Sequence, residues 1–178
     1  MALDRESKLI KKIKKGDQRA FKKLYDLYAD YSLRTAYGIT RNQADAADIV
    51  QEVFLKLYRN IHQFDIKKPF KPWFYQLLLN EARRYIGKKS KHAVSIETEE
   101  ILDSLSSTTE HEGDYEELEI ALEKLDEHHR TVLILKYVNN FSEKEIAEML
   151  DLNLNTVKSR LFKARGKLKT VMGGAADA

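Results

Sequence analysis

Apolar side chains in the first half of the chain recur at the three- and four-residue spacing of amphipathic α-helices. Residues 17–38 show this spacing, and residues 44–61 show it more sharply, with one narrow apolar face at about 100° per residue. The pattern therefore predicts two helices that contribute to one core. The apolar positions are Ala20, Phe21, Leu24, Leu27, Tyr28, Tyr31 and Leu33 in the first helix and Ala46, Val50, Val53, Phe54, Leu57 and Ile61 in the second.

The outer face of the second predicted helix contains an anomaly. Asp48, Glu52 and Arg59 share this face with Leu55, so that a leucine lies among charged side chains. Single exposed apolar residues are common, and chance is one explanation. A patch that docks another protein is the alternative.

A third helix is predicted to open at Pro72, because proline suits the first turn of a helix. Its outer face combines an aromatic ring with amide and guanidinium groups, which suits unpaired bases and phosphates. The alternative is a tryptophan that packs partly on a neighbouring helix beside ordinary surface arginines. The buried stripe is Tyr75, Leu78, Leu79, Ala82 and Ile86, and the outer face is Trp73, Gln76, Asn80, Arg83 and Arg84.

The second half of the chain contains a helix-turn-helix pattern. Residues 116–138 form one amphipathic helix or two, and Ser142 to Glu145 fits a capping box ahead of the next helix. A short turn at residues 151–155 leads into a helix over residues 156–169. Asp151 stands where glycine is commoner, but aspartate also tolerates a left-handed backbone.

The last helix is basic, with six Lys or Arg and no acidic residue between positions 155 and 169. Lys158, Ser159, Phe162 and Lys163 share its outer side. Such a helix suits the major groove of duplex DNA. A solvated basic helix is the weaker alternative, because the charge is of one sign and Phe162 is among the outward residues.

Composition supports an all-α protein. Only 7 Gly and 2 Pro occur in 178 residues, which are few turn-forming residues for the many turns of a β-sandwich or barrel. The chain has no cysteine and no apolar run that approaches a membrane span, so we expect a cytoplasmic protein without direct membrane contact. We find no catalytic constellation, metal-ligand spacing or cofactor loop among its residues.

Charge divides the chain into segments. Residues 1–91 carry a net charge of +11, residues 92–123 carry −11, and residues 124–178 carry +3. We therefore predict two small helical domains, at residues 1–91 and 116–172, joined by a flexible acidic linker at 92–115, with a disordered tail at 173–178. The alternative is an acidic loop on one compact domain.

Three motifs together resemble the extracytoplasmic-function (ECF, group IV) sigma factors of bacterial RNA polymerase, in the sigma-70 family. They are DIVQEVFLKLY at residues 48–58, FKPWFY at 70–75 with Asn80, and HRTVLILKY at 129–137 followed by TVKSRLFKAR at 156–165. The resemblance implies that residues 1–91 are sigma region 2 and residues 116–172 are sigma region 4 with its helix-turn-helix.

The resemblance also implies partners and site residues. Region 2 would bind the β′ clamp helices of core RNA polymerase through Asp48, Gln51, Glu52, Leu55 and Arg59, and region 4 would bind the β flap. Duplex −35 DNA would contact Lys158, Ser159, Arg160, Phe162, Lys163 and Arg165. The melted, single-stranded −10 element would be held by Phe64, Asp65, Lys67, Lys68, Phe70, Trp73, Gln76, Asn80, Arg83 and Arg84.

On this interpretation the chain is a transcription initiation factor and not an enzyme. It uses no cofactor and no metal, and many relatives are held inactive by an anti-sigma factor. One rival is a helix-turn-helix repressor or activator that binds duplex DNA without polymerase, and it gives no role to the residue 48–59 face. A second rival, an adaptor that makes only protein contacts, leaves the six cations of the last helix unexplained.

Overall fold

Every regular element in the described part of the chain is helical. The structure is a computed structural model that describes residues 2–93 and 120–173. The predicted linker and the tail fall almost entirely outside these residues. The elements are α1 (Ala2–Ile13), α2 (Gln18–Thr40), α3 (Gln43–Asn60), a 3-10 turn (Ile61–Gln63), α4 (Phe70–Ala93), α5 (Glu127–Leu133), a π-helical turn (Ile134–Val138), α6 (Glu143–Leu150) and α7 (Leu154–Gly173).

The first half is a bundle in which α2, α3 and α4 pack on one another and α1 packs against α2 and α4. The predicted apolar face of α3 is buried, as expected from its spacing. The centre of the bundle is aromatic: the ring of Phe74 lies 5.4 Å from that of Phe54, 5.0 Å from that of Tyr28 and 5.7 Å from that of Phe70. Helix α1, which the apolar pattern did not predict, contributes Ile10 and Ile13 to this core.

Two helices of the first half differ in detail from the prediction. On α2, Leu27, Tyr31 and Leu33 are 39%, 52% and 38% exposed, although they share the apolar spacing of the core residues. Helix α4 begins at Phe70, two residues before Pro72, so that the proline still lies in the first turn. Helical spacing therefore located the helices but did not by itself decide which apolar side chains are covered.

The second half contains the predicted helix-turn-helix. Ser142 and Glu145 form the capping box of α6: the Glu145 N–H donates to Ser142 Oγ at 3.2 Å, and the Ser142 N–H donates to Glu145 Oε2 at 2.8 Å. Asp151 ends α6 in the left-handed conformation with φ 54°, as the sequence predicted. Ala147 and Val157 are buried where α6 and α7 pack on one another.

The two halves are in contact in this structure. Helix α2 packs against α5 and the π-helical turn, and α4 packs against α6. The predicted division into two domains did not include this contact, which the alternative of one compact domain allows. A membrane-spanning helix is not found among the described elements, since none is both long and apolar enough.

Candidate functional site

The outer face of α3 and the adjacent face of α2 form an apolar groove. The predicted residues Asp48, Gln51, Leu55 and Arg59 are exposed and Glu52 is half-buried. Gln51 and Leu55 line the groove. From α2, Tyr25 and Leu33 also line it, and Tyr58 does so from α3. The isolated leucine of the sequence pattern is therefore part of a larger apolar surface, which explains its position better than chance does.

The acidic end of this face is tied to α4. The Tyr85 hydroxyl lies 3.3 Å from carboxylate oxygens of both Asp45 and Asp48, and Lys89 Nζ donates to Asp45 at 2.8 Å. Desolvation and these two carboxylates raise the pKa of Tyr85, so its hydroxyl stays protonated and can donate. Asp48 thus has a fixed neighbour, while Leu55 and Arg59 face solvent.

The loop between α3 and α4 presents charged side chains and buries its aromatic ones. Asp65, Lys67 and Lys68 are exposed, whereas Phe64 and Phe70 are 3% and 2% exposed. Both phenylalanine rings pack against each other, with ring centroids 5.6 Å apart. Their side chains are not available to a ligand in this conformation, in contrast to the expectation that they contact DNA, because they anchor the loop to the core.

The position of the loop is also set by Lys14, directly after α1, and by Trp73. Lys14 Nζ donates to the carbonyl oxygens of His62 at 3.2 Å and Phe64 at 2.5 Å. The Trp73 ring is half-buried, with its centroid 4.7 Å from that of Phe64. Trp73 thus packs partly on a neighbour, and the rest of its side chain is accessible.

On the outer face of α4, Gln76, Asn80, Arg83 and Arg84 are exposed. Arg84 is bound to the buried carboxylate of Glu81, to which its Nε donates at 3.0 Å. Glu81 also accepts a hydrogen bond from Lys56 of α3. Burial opposes ionisation, but the hydrogen bonds from Arg84 and Lys56 lower the pKa of Glu81, so it is charged at neutral pH. Glu81 was not identified from the sequence, because it shares the helix with exposed charges.

The outer face of α7 carries the predicted basic surface. Lys158, Ser159, Lys163 and Arg165 are exposed, and Arg160 is half-buried. Phe162 is 74% exposed, more than any other large apolar side chain in the described residues. A side chain so exposed contributes little to the core, so its position favours contact with a partner.

A second surface, which the sequence analysis did not find, adjoins the basic face of α7. An open pocket there is lined by Ser159, Arg160 and Lys163 together with residues from the start of α5 and the first turn of α7. The additional residues are Asp126, His128, His129, Asn155 and Thr156. The side chain of His129 is only 15% exposed.

The carboxylate of Asp126 is paired with neighbouring side chains within this pocket. Its carboxylate lies 2.5 Å from His129 Nδ1 and 3.0 Å from Lys167 Nζ, and it caps α5 by accepting from the His129 N–H at 3.0 Å. Although burial opposes it, the bonds from His129 and Lys167 hold the pKa of Asp126 well below its usual range. The one carboxylate that lines the pocket is thus already paired, which leaves Arg160 and Lys163 to set its charge.

Comparison with known families matches each half separately. The family model described as Sigma-70 region 2 matches residues 24–92, and the model described as Sigma-70, region 4 matches residues 115–168. The exposed surfaces described above lie within these matches. These two matches, in this order along the chain, define a sigma factor of the sigma-70 type.

Individual relatives narrow the class. The chain is 34% identical to the ECF RNA polymerase sigma factor SigW of Bacillus subtilis over an alignment of 182 positions, which covers 91% of this chain and 94% of the relative. It is 31% identical to the ECF RNA polymerase sigma-E factor of Haemophilus influenzae, over 88% of this chain and 89% of the relative. The chain therefore belongs to the ECF RNA polymerase sigma factors, which direct transcription from promoters.

Two solved structures share the fold across most of the chain. CnrH, in complex with the cytosolic domain of CnrY, has a TM-score of 0.70 at 23% identity and covers 96% of this chain and 98% of its own. The Bartonella quintana sigma factor RpoE, in complex with the anti-sigma factor NepR, has a TM-score of 0.70 at 23% identity, covering 86% and 96%. These likenesses support the all-helical, two-part architecture.

Proposed function

We propose that this sigma factor reads the −35 element as duplex DNA with α7 and captures the melted −10 strand with α4 and the loop before it. The observation that carries the proposal is the outer face of α7. There, the 74% exposed Phe162 stands between exposed cations within the region 4 match. Lys158, Ser159 and Lys163 would contact base edges, while Arg160 and Arg165 would lie nearer the phosphates.

The pocket beside α7 extends this surface. Because Asp126 is paired with His129 and Lys167, Arg160 would draw a backbone phosphate toward the pocket. His128 would meet the same phosphate from the α5 side. This arrangement would fix the register of α7 on the duplex without reading bases.

For the −10 element, exposed and buried residues have different roles. The exposed side chains would contact the single strand through stacking and phosphate contacts. They are Asp65, Lys67, Lys68, Gln76, Asn80, Arg83 and the accessible part of Trp73. Phe64 and Phe70 would hold the loop in place from within the core. Arg84 would lie beside the strand, but its pairing with Glu81 would limit its contact with a phosphate.

The α2/α3 groove is the proposed docking surface for core polymerase. Leu55 and the half-exposed Tyr25 and Tyr58 offer an apolar centre, with Asp48, Glu52 and Arg59 at its rim. This combination of an apolar centre and a charged rim is typical of protein interfaces. The partner would be the β′ clamp helices, with region 4 meeting the β flap.

On this proposal the chain acts in the cytoplasm as an initiation factor and catalyses no reaction itself. Free energy for melting would come from base capture and phosphate neutralisation. The solved relatives CnrH and RpoE were each determined with a bound protein, in the second case an anti-sigma factor. By analogy, an anti-sigma factor is a proposed partner here.

The first test separates polymerase binding from promoter recognition. Leu55→Asp should abolish co-elution with sigma-free core polymerase while leaving helicity unchanged, because it adds a charge to an exposed apolar patch. Ile120→Asp is the matched control, since Ile120 is 45% exposed and Leu55 is 43% exposed. Core binding by Leu55→Asp as tight as that of the control would overturn the docking surface.

The second test addresses the −35 surface in run-off transcription from a promoter library. Lys158→Ala combined with Lys163→Ala should reduce −35-dependent initiation with core binding retained. Lys11→Ala with Lys15→Ala removes the same charge from exposed positions elsewhere and should leave initiation intact. Sequence-specific duplex binding without any core binding would instead favour the repressor hypothesis.

A further inference from the structure

The two halves of the chain meet around a buried asparagine. Asn139, directly after the π-helical turn, is 2% exposed. Its amide nitrogen donates to Thr35 Oγ1 of α2 at 3.0 Å and to the Tyr75 hydroxyl of α4 at 3.0 Å. Thr35 and Tyr75 are themselves 0% and 1% exposed. A buried polar group with its partners satisfied indicates a specific contact rather than an accidental one.

Hydrogen bonds on either side of Asn139 extend the contact. Lys71 Nζ donates to the Asn139 carbonyl oxygen at 2.7 Å and lies 4.8 Å from the ring centroid of Phe141. Near the end of α2, Arg130 Nη2 of α5 donates to the Ile39 carbonyl oxygen at 2.9 Å. The same guanidinium donates to the Leu125 carbonyl oxygen at 3.1 Å, so it joins the two halves.

Between these polar contacts, the backbone of α2 approaches the second half closely at Gly38. A Cβ atom at this position would overlap Ile134 Cδ1 and lie 3.2 Å from its Cγ1. Gly87, also within a helix, has no atom within 4 Å of the same hypothetical Cβ. The absence of a side chain at Gly38 is therefore what allows Ile134 to pack against α2.

The closed arrangement conflicts with simultaneous recognition of both promoter elements. The −35 and −10 elements are separated by about 25 base pairs, or about 85 Å at about 3.4 Å per base pair. A compact chain of this length has a radius of gyration of about 16 Å and hence a diameter of about 40 Å. The halves must separate before the basic face of α7 and the outer face of α4 can reach both elements.

We propose that two contacts, Asn139 with Thr35 and Tyr75 and Ile134 with Gly38, form an intramolecular latch that holds the free sigma factor closed and opposes its binding to polymerase and promoter. This inference rests on the proposed function. Only the open fraction of the free chain would be competent, so a chain that is 90% closed would bind its target about tenfold more weakly than an open one. The hydrogen-bonding groups of the latch can exchange their partners for water, so it is suited to reversible release.

Distance measurements test the latch directly. The chain has no cysteine, so Lys23→Cys on α2 and Lys144→Cys on α6 provide unique spin-label sites on exposed residues of the two halves. In this background Gly38→Leu should replace a single short distance by a broad, longer distribution. Leucine favours helix, so α2 itself is not weakened. Gly87→Leu is the matched control, and adding Ile134→Ala to Gly38→Leu should restore the short distance by making room.

Binding to core polymerase then tests the inhibitory role. Gly38→Leu should bind core and a cognate promoter more tightly than the control, by the factor that its measured open fraction predicts. A broad distance distribution in the unsubstituted chain, or equal core affinity of Gly38→Leu and Gly87→Leu, would overturn the latch. Failure of every variant to bind core would overturn the proposed function and the inhibitory role with it, whereas the distances would still report the closed contact.

Discussion

Glu81 is the residue whose replacement tests the link between folding and DNA binding most directly. It is 3% exposed, and its carboxylate binds Lys56 of α3 and Arg84 one turn further along α4. Glu81→Gln retains the shape of the side chain and removes the negative charge. The two cations would then face a neutral amide, which accepts more weakly than a carboxylate.

The expected cost follows from the burial of the three groups. Hydrogen bonds to charged groups contribute about 1.5–3 kcal/mol each. The side chains of Lys56 and Arg84 are 29% and 47% exposed, so both cations regain contact with water when Glu81 is neutral. We therefore expect Glu81→Gln to lower the free energy of unfolding by about 1–3 kcal/mol at about pH 7, which is less than the sum of two such hydrogen bonds because both cations are rehydrated.

The pH dependence has a defined sign. The pKa of Glu81 is lowered in the folded state, so its contribution is fully present above its ordinary value of 4.5 and is lost as the pH falls through the folded-state pKa. The difference in stability between the original chain and Glu81→Gln should shrink over that range. Neutral glutamine has no such titration.

Urea unfolding over a pH series, followed by the fluorescence of the single tryptophan, measures both effects. Asp26→Asn is the control, because Asp26 pairs with Lys22 on the surface, with side chains 55% and 76% exposed. We expect a change of less than about 1 kcal/mol for that variant. A Glu81→Gln midpoint equal to that of Asp26→Asn at neutral pH, or a difference that does not change on acidification, would refute the reasoning.

Glu81→Gln should also raise the affinity for single-stranded DNA, although it lowers the stability of the fold. With Glu81 neutral, Arg84 is released to a phosphate of the −10 strand, so single-strand affinity should rise while stability falls. The salt dependence should steepen by about 0.7 in slope for one further phosphate contact. A purely structural role of Glu81 would lower stability without altering that slope.

Three further predictions concern the second half. Ser142→Ala removes the capping box of α6 and should lower the free energy of unfolding by about 1 kcal/mol in thermal melts, and an unchanged melting temperature would contradict this. Phe162→Ala should change stability by less than about 0.5 kcal/mol yet weaken −35 duplex binding measured by fluorescence anisotropy, and equal affinity would remove Phe162 from the interface. Asp126→Ala removes the cap of α5 and a carboxylate whose pKa is lowered. The free energy of unfolding, measured by calorimetry, should fall by about 1–2 kcal/mol near neutral pH and change little in acid.

The local features of this protein could be predicted from its sequence because they depend on neighbours in the chain. The spacing of apolar residues located α2, α3 and α4, and the Ser142 box and Asp151 marked both ends of α6. The resemblance to ECF sigma factors, carried by three motifs in order, is confirmed by the relatives. Leu55 could be singled out because helical geometry alone puts it on a charged face.

Burial on surfaces made by several helices could not be predicted in this way. Phe64 and Phe70 belong to the same loop as Lys67, yet packing against the aromatic core of the bundle buries the rings and leaves the lysine exposed. Leu33 has the same spacing as buried neighbours on α2 but lines a groove with α3. These outcomes depend on which helix lies opposite, and helical spacing does not specify that partner.

The sequence by itself determined α2, α3 and α4, the ends of α6, the helix-turn-helix and the family, because each is encoded by residues a few positions apart. Only the tertiary structure decided that Asn139 is buried against Thr35 across 104 positions of the chain and that Gly38 meets Ile134. Contacts between residues so far apart depend on how whole helices pack together. The closed contact between the two halves, and the latch inferred from it, therefore follow from the folded structure rather than from any local pattern.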